Sequence, residues 1–278
     1  MTTHIIQKML GRACSCAAIA GLMAIASLPA AAQSTKKYQL IFSDDFKGAS
    51  YSRPDTAKWG VTTRYWGTTN RWISKSPKVA FVKKGILHLR AIRNTTEPND
   101  TAPMLTGSVE TCDKFSFQYG KVEIRMRTKN HKGNFPALWM MPQPPAPGWP
   151  YAGEIDIVET IDAENVAYHT AHSDYTYFKK KDVETHACNK KIDVEQWHTY
   201  GLIWTSTSLT WTIDGVVTGS YNKSTKASEL KEGQWPFDRP FYIIMNQSVG
   251  RGDWADNPDM NFTYETLVDW VKVYKEVE

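Results

Sequence analysis

Three carboxylates lie close together in residues 153–160, whose sequence is Gly-Glu-Ile-Asp-Ile-Val-Glu-Thr. The β-branched residues between them favour an extended, half-buried strand, and alternation places Glu154 and Asp156 together on the opposite face. Glu159 follows Glu154 by five positions, so a regular strand would turn it into the core, where an unpaired carboxylate is very costly. A β-bulge at the Ile-Val pair before Glu159 inserts one residue and returns Glu159 to the face of the other two acids.

This grouping of acids suits the hydrolysis of a glycosidic bond. Three carboxylates on one face repel one another unless a metal, a proton or a substrate compensates their charge. A retaining glycosidase needs two carboxyl groups about 5–5.5 Å apart, one ionised as nucleophile and one protonated as acid. Glu154 and Glu159 suit these two roles, and Asp156 between them can hydrogen-bond one glutamate and hold its protonation state.

The spacing also sets a condition on the sheet. A flat strand would place the two glutamates roughly 13 Å apart, so we expect a concave sheet on which both side chains lean inward. The spacing by itself leaves an alternative open, which is an acidic calcium cluster or a solvated edge strand.

Residues 149–159 resemble the active-site strand of glycoside hydrolase family 16 in its bulged form, E-x-D-x-x-E. The resemblance is to the branch that holds laminarinases, mixed-linkage β-glucanases, agarases and κ-carrageenases. It implies an all-β fold, a β-jelly-roll sandwich of two antiparallel sheets with a concave substrate cleft. It also implies a retaining endo-β-glucanase that requires no cofactor. In that reading Glu154 attacks the anomeric carbon, Glu159 acts as acid and base, and Asp156 supports Glu154.

A first group of candidate substrate-binding residues lies in a segment rich in Gly, Thr and Asn. Tryptophan rings stack on pyranose rings, and amides hydrogen-bond sugar hydroxyls, so Trp66, Asn70 and Trp72 suit a glycan subsite. The loop that the family has here supplies contacts on the glycone side of the cleft. Packing in the core is the alternative for these residues.

Further candidates flank the carboxylates along the chain. The segment Phe-Pro-Ala-Leu-Trp-Met-Met resembles a family strand and implies that Trp139 lines the cleft, and a proline-rich loop delivers Trp149. His172 matches the histidine of the family's next strand and could tune the acid/base glutamate, with a core or metal histidine as the alternative. We expect Gln247, which replaces an apolar family residue, to contact sugar, and Trp254 to close one end of the cleft.

Two more positions are compared with the family. Glu110 stands where the family often has an arginine, which changes one expected substrate contact. Asp269 lies where relatives often contribute to a structural calcium site on the convex face. The resemblance therefore makes Asp269 a candidate calcium ligand, and calcium a possible structural ion.

The first 32 residues have the pattern of a secretory signal peptide. Lys8 and Arg12 precede an apolar run that ends in three alanines at residues 30–32. The run is shorter than the ~20 residues that a membrane span requires. The pattern predicts cleavage after Ala32, an exported periplasmic or extracellular protein without a membrane span, and a single catalytic domain at residues 33–278.

Composition bounds the size of the core and the class of partner. The 278 residues are 41% hydrophobic and 12% aromatic, enough for the core of one all-β domain. Without Lys8 and Arg12 the 33 basic residues become 31 against 29 acids, a formal charge of +2. No Lys/Arg run suggests nucleic acid, so we expect a neutral or weakly charged glycan and a monomer. Cys112 and Cys188 remain after cleavage, and an exported pair can form a disulfide or stay free.

Three functions are compatible with these features. The first is hydrolysis of a glucan with β-1,3 or mixed β-1,3/1,4 linkages. The second is endo-hydrolysis of a marine galactan of the agarase, carrageenase or porphyranase type, although a sulfated galactan would call for more Arg and Lys than residues 139–172 contain. The third is a noncatalytic glycan-binding jelly roll, but binding alone has no use for three acids at bulged spacing.

Overall fold

The computed structural model describes residues 37–182 and 185–277. The predicted signal peptide lies outside these residues. Within the described ranges the chain is almost entirely β-structure, which confirms the predicted fold class. No helix in this part of the chain is both long and apolar enough to cross a membrane.

The described residues form fourteen strands and two short helices. In chain order the strands are β1 (Lys37–Asp44), β2 (Ala80–Lys83), β3 (Ile86–Arg93), β4 (Met104–Glu110), β5 (Gly120–Thr128), β6 (Asn134–Pro142), β7 (Glu154–Glu159), β8 (Val166–His172), β9 (Ala187–Lys191), β10 (His198–Trp204), β11 (Ser208–Ile213), β12 (Val216–Asn222), β13 (Phe241–Val249) and β14 (Tyr264–Val277). The helices are α1 (Asp174–Tyr177) and α2 (Ala227–Lys231). Each helix is too short to leave an amphipathic period in the sequence.

The strands form two antiparallel sheets that meet at β4. The first sheet has the order β12-β11-β10-β5-β14-β3, with β1 paired to β14 and β2 paired to β3. The second has the order β4-β13-β6-β7-β8-β9. Strand β5 shows why the layers form, because Val122, Ile124 and Met126 are fully buried while the residues between them are partly exposed.

One main core contains apolar side chains from both sheets. It includes Ile155, Ile157 and Val158 of β7 together with Trp211 of β11 and Leu138 of β6. Full burial of an aliphatic side chain of this size stabilises the fold by about 1.5–3 kcal/mol. The strand that carries the three acids is therefore anchored in the core by its own apolar residues.

The two cysteines are free thiols in the structure. Burial is the main cause that raises the pKa of Cys112 and of Cys188 to about 11, so both are protonated at neutral pH. The Cys188 thiol lies against Gly219 of β12, where an added Cβ would come within 2.2 Å of Sγ. Of the two alternatives that the sequence allowed, the structure contains the unbridged one.

Candidate active site

Strand β7 contains the predicted bulge. On the β6 side, Asp156 pairs with Trp139 and Val158 pairs with Leu138. Because Trp139 and Leu138 are adjacent, Ile157 has no partner on β6. On the β8 side, Ile157 and Val158 together oppose His169. Both apolar residues are fully buried, whereas Glu159 is half-buried. The extra residue thus keeps Glu159 out of the core, as the alternation of side chains along the strand predicted.

Side chains from two other strands hold the backbone of the bulge. Trp211 of β11 donates its Nε1 hydrogen to the carbonyl oxygen of Asp156 at 2.9 Å. His169 of β8 donates from Nδ1 to the carbonyl oxygen of Ile157 at 2.5 Å, and its Nε2 lies 3.1 Å from Thr218 Oγ1. Burial lowers the pKa of His169 to about 4, so the ring is neutral and Nε2 accepts the threonine hydrogen. These bonds satisfy two carbonyls at the irregular part of the strand.

We call the side of the second sheet that carries Glu154, Asp156 and Glu159 the acid face. Asp156 is 1% exposed, and its Oδ2 lies 3.2 Å from Nε2 of His172. This buried oxygen has no hydrogen bond of good geometry among the described residues, so its contact with His172 is that of an ion pair. Ligand-type atoms of Glu154, Asp156 and His172 lie within 4.8 Å of one another. The prediction that His172 returns to the carboxylates is confirmed.

The two glutamates differ in their electrostatic surroundings. Burial, followed by the charge of Asp156, raises the pKa of Glu154 to about 8, while His172 and a hydrogen bond from Trp149 act to lower it. Burial and the charges of Asp156 and Glu154 raise the pKa of Glu159 well above its usual range, and no group acts to lower it. Glu154 is therefore the glutamate that ionises first, and Glu159 is the one that keeps its proton.

His172 is cationic at neutral pH. Burial opposes its charged form, but the contact with Asp156 outweighs burial and raises the pKa of His172 to about 9. A protonated imidazole has no lone pair to offer a cation, so the grouping of Glu154, Asp156 and His172 fits an ion-paired catalytic cluster better than a metal site. The predicted alternative of an acidic calcium cluster is correspondingly weaker.

A chain of side-chain hydrogen bonds begins at Trp139, beside the acids, and extends across the acid face. Trp139, which pairs with Asp156, donates to Asn246 Oδ1 at 2.6 Å. Asn246 donates to Ser248 Oγ at 3.0 Å, and Ser248 donates to Asn70 Oδ1 at 3.3 Å. Trp139 and Asn70 thus belong to one hydrogen-bond network, although the first lies on a strand and the second in a loop.

Two exposed tryptophans lie at opposite ends of the row of acids. The Trp149 ring lies 6.3 Å from that of His172, which pairs with Glu154. The Trp254 ring makes an edge contact at 5.4 Å with Tyr168, which pairs with Glu159. Trp149 is 42% exposed and Trp254 45% exposed. Both rings are therefore accessible, and the expectation that Trp149 lines the cleft and Trp254 closes one end of it stays a prediction.

The prediction that Gln247 contacts sugar is wrong. Gln247 is fully buried, and its amide nitrogen donates to Asn134 Oδ1 at 2.9 Å. Its Oε1 accepts a bond of 2.7 Å from Thr266, a residue of the first sheet. Because neighbouring residues on a strand face opposite sides, Gln247 points between the sheets while Asn246 occupies the acid face. Gln247 joins the sheets, and Asn246 lies on the acid face, where it is bonded to Trp139.

The other loop tryptophans differ in exposure. Trp66 is 63% exposed and lies 5.4 Å from the Arg64 guanidinium, so its ring is accessible and its sugar contact stays a prediction. Trp72 is half-buried against the cluster that includes Met104 and Tyr264, with the Arg71 guanidinium 3.9 Å from its ring. Trp72 therefore packs, as the alternative reading of the sequence allowed.

The predicted calcium ligand has a different partner. The Asp269 carboxylate is ion-paired with the Arg125 guanidinium. Asp269 belongs to no cluster of three or more His, Cys, Asp or Glu ligands within the described ranges. A guanidinium already supplies the positive charge that a calcium ion would bring, so the structure gives no support to calcium at Asp269.

The structure also places Glu110, which the comparison with the family had noted, and Tyr177, which the sequence did not single out. Glu110 is half-buried on β4, and burial raises its pKa. Tyr177 of α1 packs edge-on against Trp149 at 4.5 Å. No local sequence pattern predicts that either residue lies near the acid face, because pairing and packing of distant segments bring them there. A cavity of about 900 Å³ lined by residues 61–64, 73–77 and 97–101 includes none of the three acids.

The fold and the carboxylate cluster are those of a glycoside hydrolase. Residues 69–272 match the profile of Glycosyl hydrolases family 16, and the chain belongs to this family. The laminarinase structure from Rhodothermus marinus superposes with a TM-score of 0.75 and 28% identity, over 88% of this chain and all of that one.

Two curated relatives have different substrates. The chain is 33% identical to a keratan-sulfate endo-1,4-beta-galactosidase of Sphingobacterium multivorum, over 89% of this chain and 58% of the relative. It is 30% identical to glucan endo-1,3-beta-glucosidase A1 of Niallia circulans, over 85% of this chain and 38% of the relative. The chain thus spans about half the length of these relatives. The names of these two relatives refer to a galactosidase that acts on keratan sulfate and to a glucosidase that acts on a glucan.

Proposed function

We propose that this protein is a retaining endo-β-glycanase in which Glu154 is the nucleophile and Glu159 the acid and base. The observation that supports these roles is the electrostatic difference between the glutamates. His172 and Trp149 lower the pKa of Glu154 alone, while every charge near Glu159 raises its pKa. A retaining mechanism needs this combination of one ionised and one protonated carboxyl group.

The reaction then has two displacements. Glu154 attacks the anomeric carbon while Glu159 transfers its proton to the leaving glycosidic oxygen, which yields a glycosyl ester on Glu154. Glu159, now ionised, takes a proton from water, and the resulting nucleophile cleaves the ester with a second inversion. Asp156, in contact with cationic His172, keeps that positive charge beside Glu154.

The proposed substrate is a soluble glucan with β-1,3 or mixed β-1,3/1,4 linkages. The structural similarity to a laminarinase supports this choice. A sulfated β-galactan is the second candidate. It is supported by the relative that acts on keratan sulfate and by Lys180, whose charge acts to lower the pKa of His172. We also propose that the protein is exported, as the leader pattern predicts.

Hydrolysis of four polysaccharides would test the proposal. Purified protein is assayed for new reducing ends on laminarin, barley β-glucan, agarose and keratan sulfate. We expect internal cleavage of a glucan, with laminarin or barley β-glucan preferred, and β-anomeric product appearing first by proton NMR. Early α-anomer would contradict retention, and preferred cleavage of keratan sulfate would favour the galactan candidate.

The roles of the two glutamates are tested by rescue with azide. With an activated β-glycoside, Glu154→Ala plus azide should yield the α-glycosyl azide, because azide attacks the substrate directly. Glu159→Ala plus azide should yield the β-glycosyl azide, because azide attacks the ester on Glu154. The opposite assignment of the two products would reverse the roles.

A further inference from the structure

Three consecutive lysines follow helix α1, and their surroundings differ. Lys179 Nζ lies 2.7 Å from Asp174 Oδ2 and also bonds the Glu232 carbonyl. Lys181 Nζ lies 2.9 Å from Glu232 Oε2. Lys180 has no carboxylate within ion-pair distance among the described residues, and its Nζ lies 4.7 Å from the centre of the Tyr177 ring. Lys179 and Lys181 are thus engaged in ion pairs, whereas none of the described carboxylates pairs with Lys180.

Lys180 lies next to the acid face. The Tyr177 ring contacts Trp149 at 4.5 Å, and the Trp149 side chain hydrogen-bonds Glu154. The charge of Lys180 is also close enough to lower the pKa of both His172 and His186. The Lys180 ammonium group is therefore connected to Glu154 through the rings of Tyr177 and Trp149.

We propose that Lys180, Tyr177 and Trp149 form a subsite for a pyranose that carries an anionic substituent, a sulfate ester or a carboxylate. The inference deepens the proposed function, on which it rests, by assigning a substrate class to one end of the acid face. The exposed faces of the two rings would hold the sugar, and Lys180 Nζ would pair with its anionic group.

The electrostatics of the site explain why such a cation is needed. Glu159 keeps its proton and Asp156 is paired with cationic His172, so the ionised form of Glu154 is the charge that repels an approaching anionic sugar. A single ammonium group that pairs with none of the described carboxylates can offset this repulsion locally. The lysine-poor composition of residues 139–172 does not predict this cation, because Lys180 lies in the loop that follows α1. Helix α1 returns that loop toward the acid face.

The test compares neutral and sulfated forms of one substrate. The neutral polysaccharide that the enzyme cleaves best is assayed before and after partial chemical sulfation. The measured quantity is the ratio of kcat/KM for the sulfated form to kcat/KM for the neutral form. For Lys180→Gln we expect this ratio to fall about two- to fivefold relative to wild type, the range set by an exposed ion pair. The wild-type ratio should also fall as salt rises from 0.02 to 0.3 M, because salt screens exposed charges.

Two variants control for charge and backbone. Lys180→Arg keeps the charge and should keep the wild-type ratio. Lys84→Gln removes the same charge from a lysine with the same φ of 53° in the turn between β2 and β3, and should also keep it. An unchanged ratio in Lys180→Gln, or an equal fall in Lys84→Gln, would overturn the proposal.

The outcome can be separated from the proposed function. If Lys180→Gln does not fold, the salt dependence of the wild-type ratio decides the matter, and its absence would contradict the subsite. If the wild type cleaves no substrate, the proposed function fails, and binding is followed by electrophoresis in gels containing the neutral or sulfated polysaccharide. Equal retardation of the protein in both gels would then contradict the anionic subsite, whatever the result for hydrolysis.

Discussion

Glu154 and Glu159 share a strand and a face, but only Glu154 has groups that favour its ionised form. The cation is His172, which Asp156 holds charged, and the hydrogen-bond donor is Trp149. Such pairs of carboxyl groups with separated pKa values mark the division between nucleophile and acid. Two predictions follow at this scale, one on activity and one on stability.

The first concerns His172→Gln. Loss of the imidazolium removes a charge that lowers the pKa of Glu154, so that pKa should rise further. The acidic limb of kcat/KM against pH should move to higher pH, with activity below the limb falling about tenfold for each unit of displacement. A pH profile of kcat/KM measures this. A limb that stays in place or moves to lower pH would remove His172 from this role.

The second concerns the stability of Glu154→Gln. The folded-state pKa of about 8 exceeds the reference value of 4.5, so the folded protein holds this proton more tightly than the unfolded chain. Wild type therefore loses stability as pH rises from 4.5 to 8. The variant lacks this titration, so its Tm relative to wild type should increase from pH 5 to pH 8, measured by thermal unfolding.

Glu265→Gln supplies the opposite sign as a control. Burial favours the neutral form of Glu265, but bonds to His88 and Arg90 outweigh it and lower its pKa to about 2. The ionised carboxylate thus contributes stability above pH 4.5 that is lost as pH falls toward 2. At pH 7 this variant should have a lower Tm than wild type. A Tm difference for Glu154→Gln that is constant with pH would show that its carboxyl group titrates normally.

Among the elements, β7 is positioned by contacts from outside its own sheet as well as by strand pairing. Its bulge is bonded to Trp211 of β11 and His169 of β8, and its apolar residues lie in the core. The loop between β6 and β7 is different, because it presents Trp149 with almost half of its surface exposed. A change in the strand should therefore disturb register, and a change in the loop should affect substrate use.

Deletion of Val158 converts the motif to E-x-D-x-E, in which strict alternation still keeps the acids on one face. The position of Glu159 along β8 shifts, and we expect a folded variant whose kcat/KM falls on the order of 100-fold. Deletion of Ile41, at the bulge of β1 in the other sheet, is the matched control and should preserve activity. Circular dichroism and kcat/KM measure the two effects. Full activity after loss of Val158 would show that the bulge is dispensable.

Trp149→Ala should lower kcat/KM about 3- to 10-fold with little change in Tm, because the exposed ring packs on few core atoms. Trp211→Ala is the contrast, since loss of a fully buried tryptophan costs about 3–5 kcal/mol of the free energy of unfolding. Steady-state kinetics and thermal unfolding distinguish them. A large fall in Tm for Trp149→Ala would reassign this ring to packing.

At the scale of the whole molecule, the two sheets have different tasks. The first sheet supplies Trp211, which bonds the backbone at the bulge, and Thr218, which bonds His169 beside it. It also supplies Thr266, which bonds Gln247. The second sheet supplies the acids and the neighbours of Trp139. The catalytic strand thus relies on the whole sandwich, and it is not expected to keep its geometry as an isolated hairpin.

The leader is tested on the full-length chain. Expression in a bacterium with a secretory pathway should release a protein whose N-terminal residue is Gln33, as measured by the intact mass of the exported form. Replacing Ala32 with arginine should block this cleavage, because the site requires small residues. Retention of the uncut wild-type chain in the cytoplasm would contradict export.

The sequence by itself determined the chemistry of β7. The side-chain period of two and the cost of burying a carboxylate required a bulge before Glu159, and both are local properties of the chain. The apolar residues between the acids likewise required a buried strand. The resemblance of the segment to one family's active-site strand extended this local argument to the sandwich fold.

Only the tertiary structure decided which distant residues meet the acids. Gln247 and Asn246 are adjacent in sequence and both polar, and the pleat alone sends Asn246 to the acid face and Gln247 between the sheets. Trp211 and Lys180 reach the site from other segments, and no local pattern distinguishes them from ordinary core and surface residues. Their roles depend on contacts between parts of the chain far apart in sequence, which composition and periodicity do not encode.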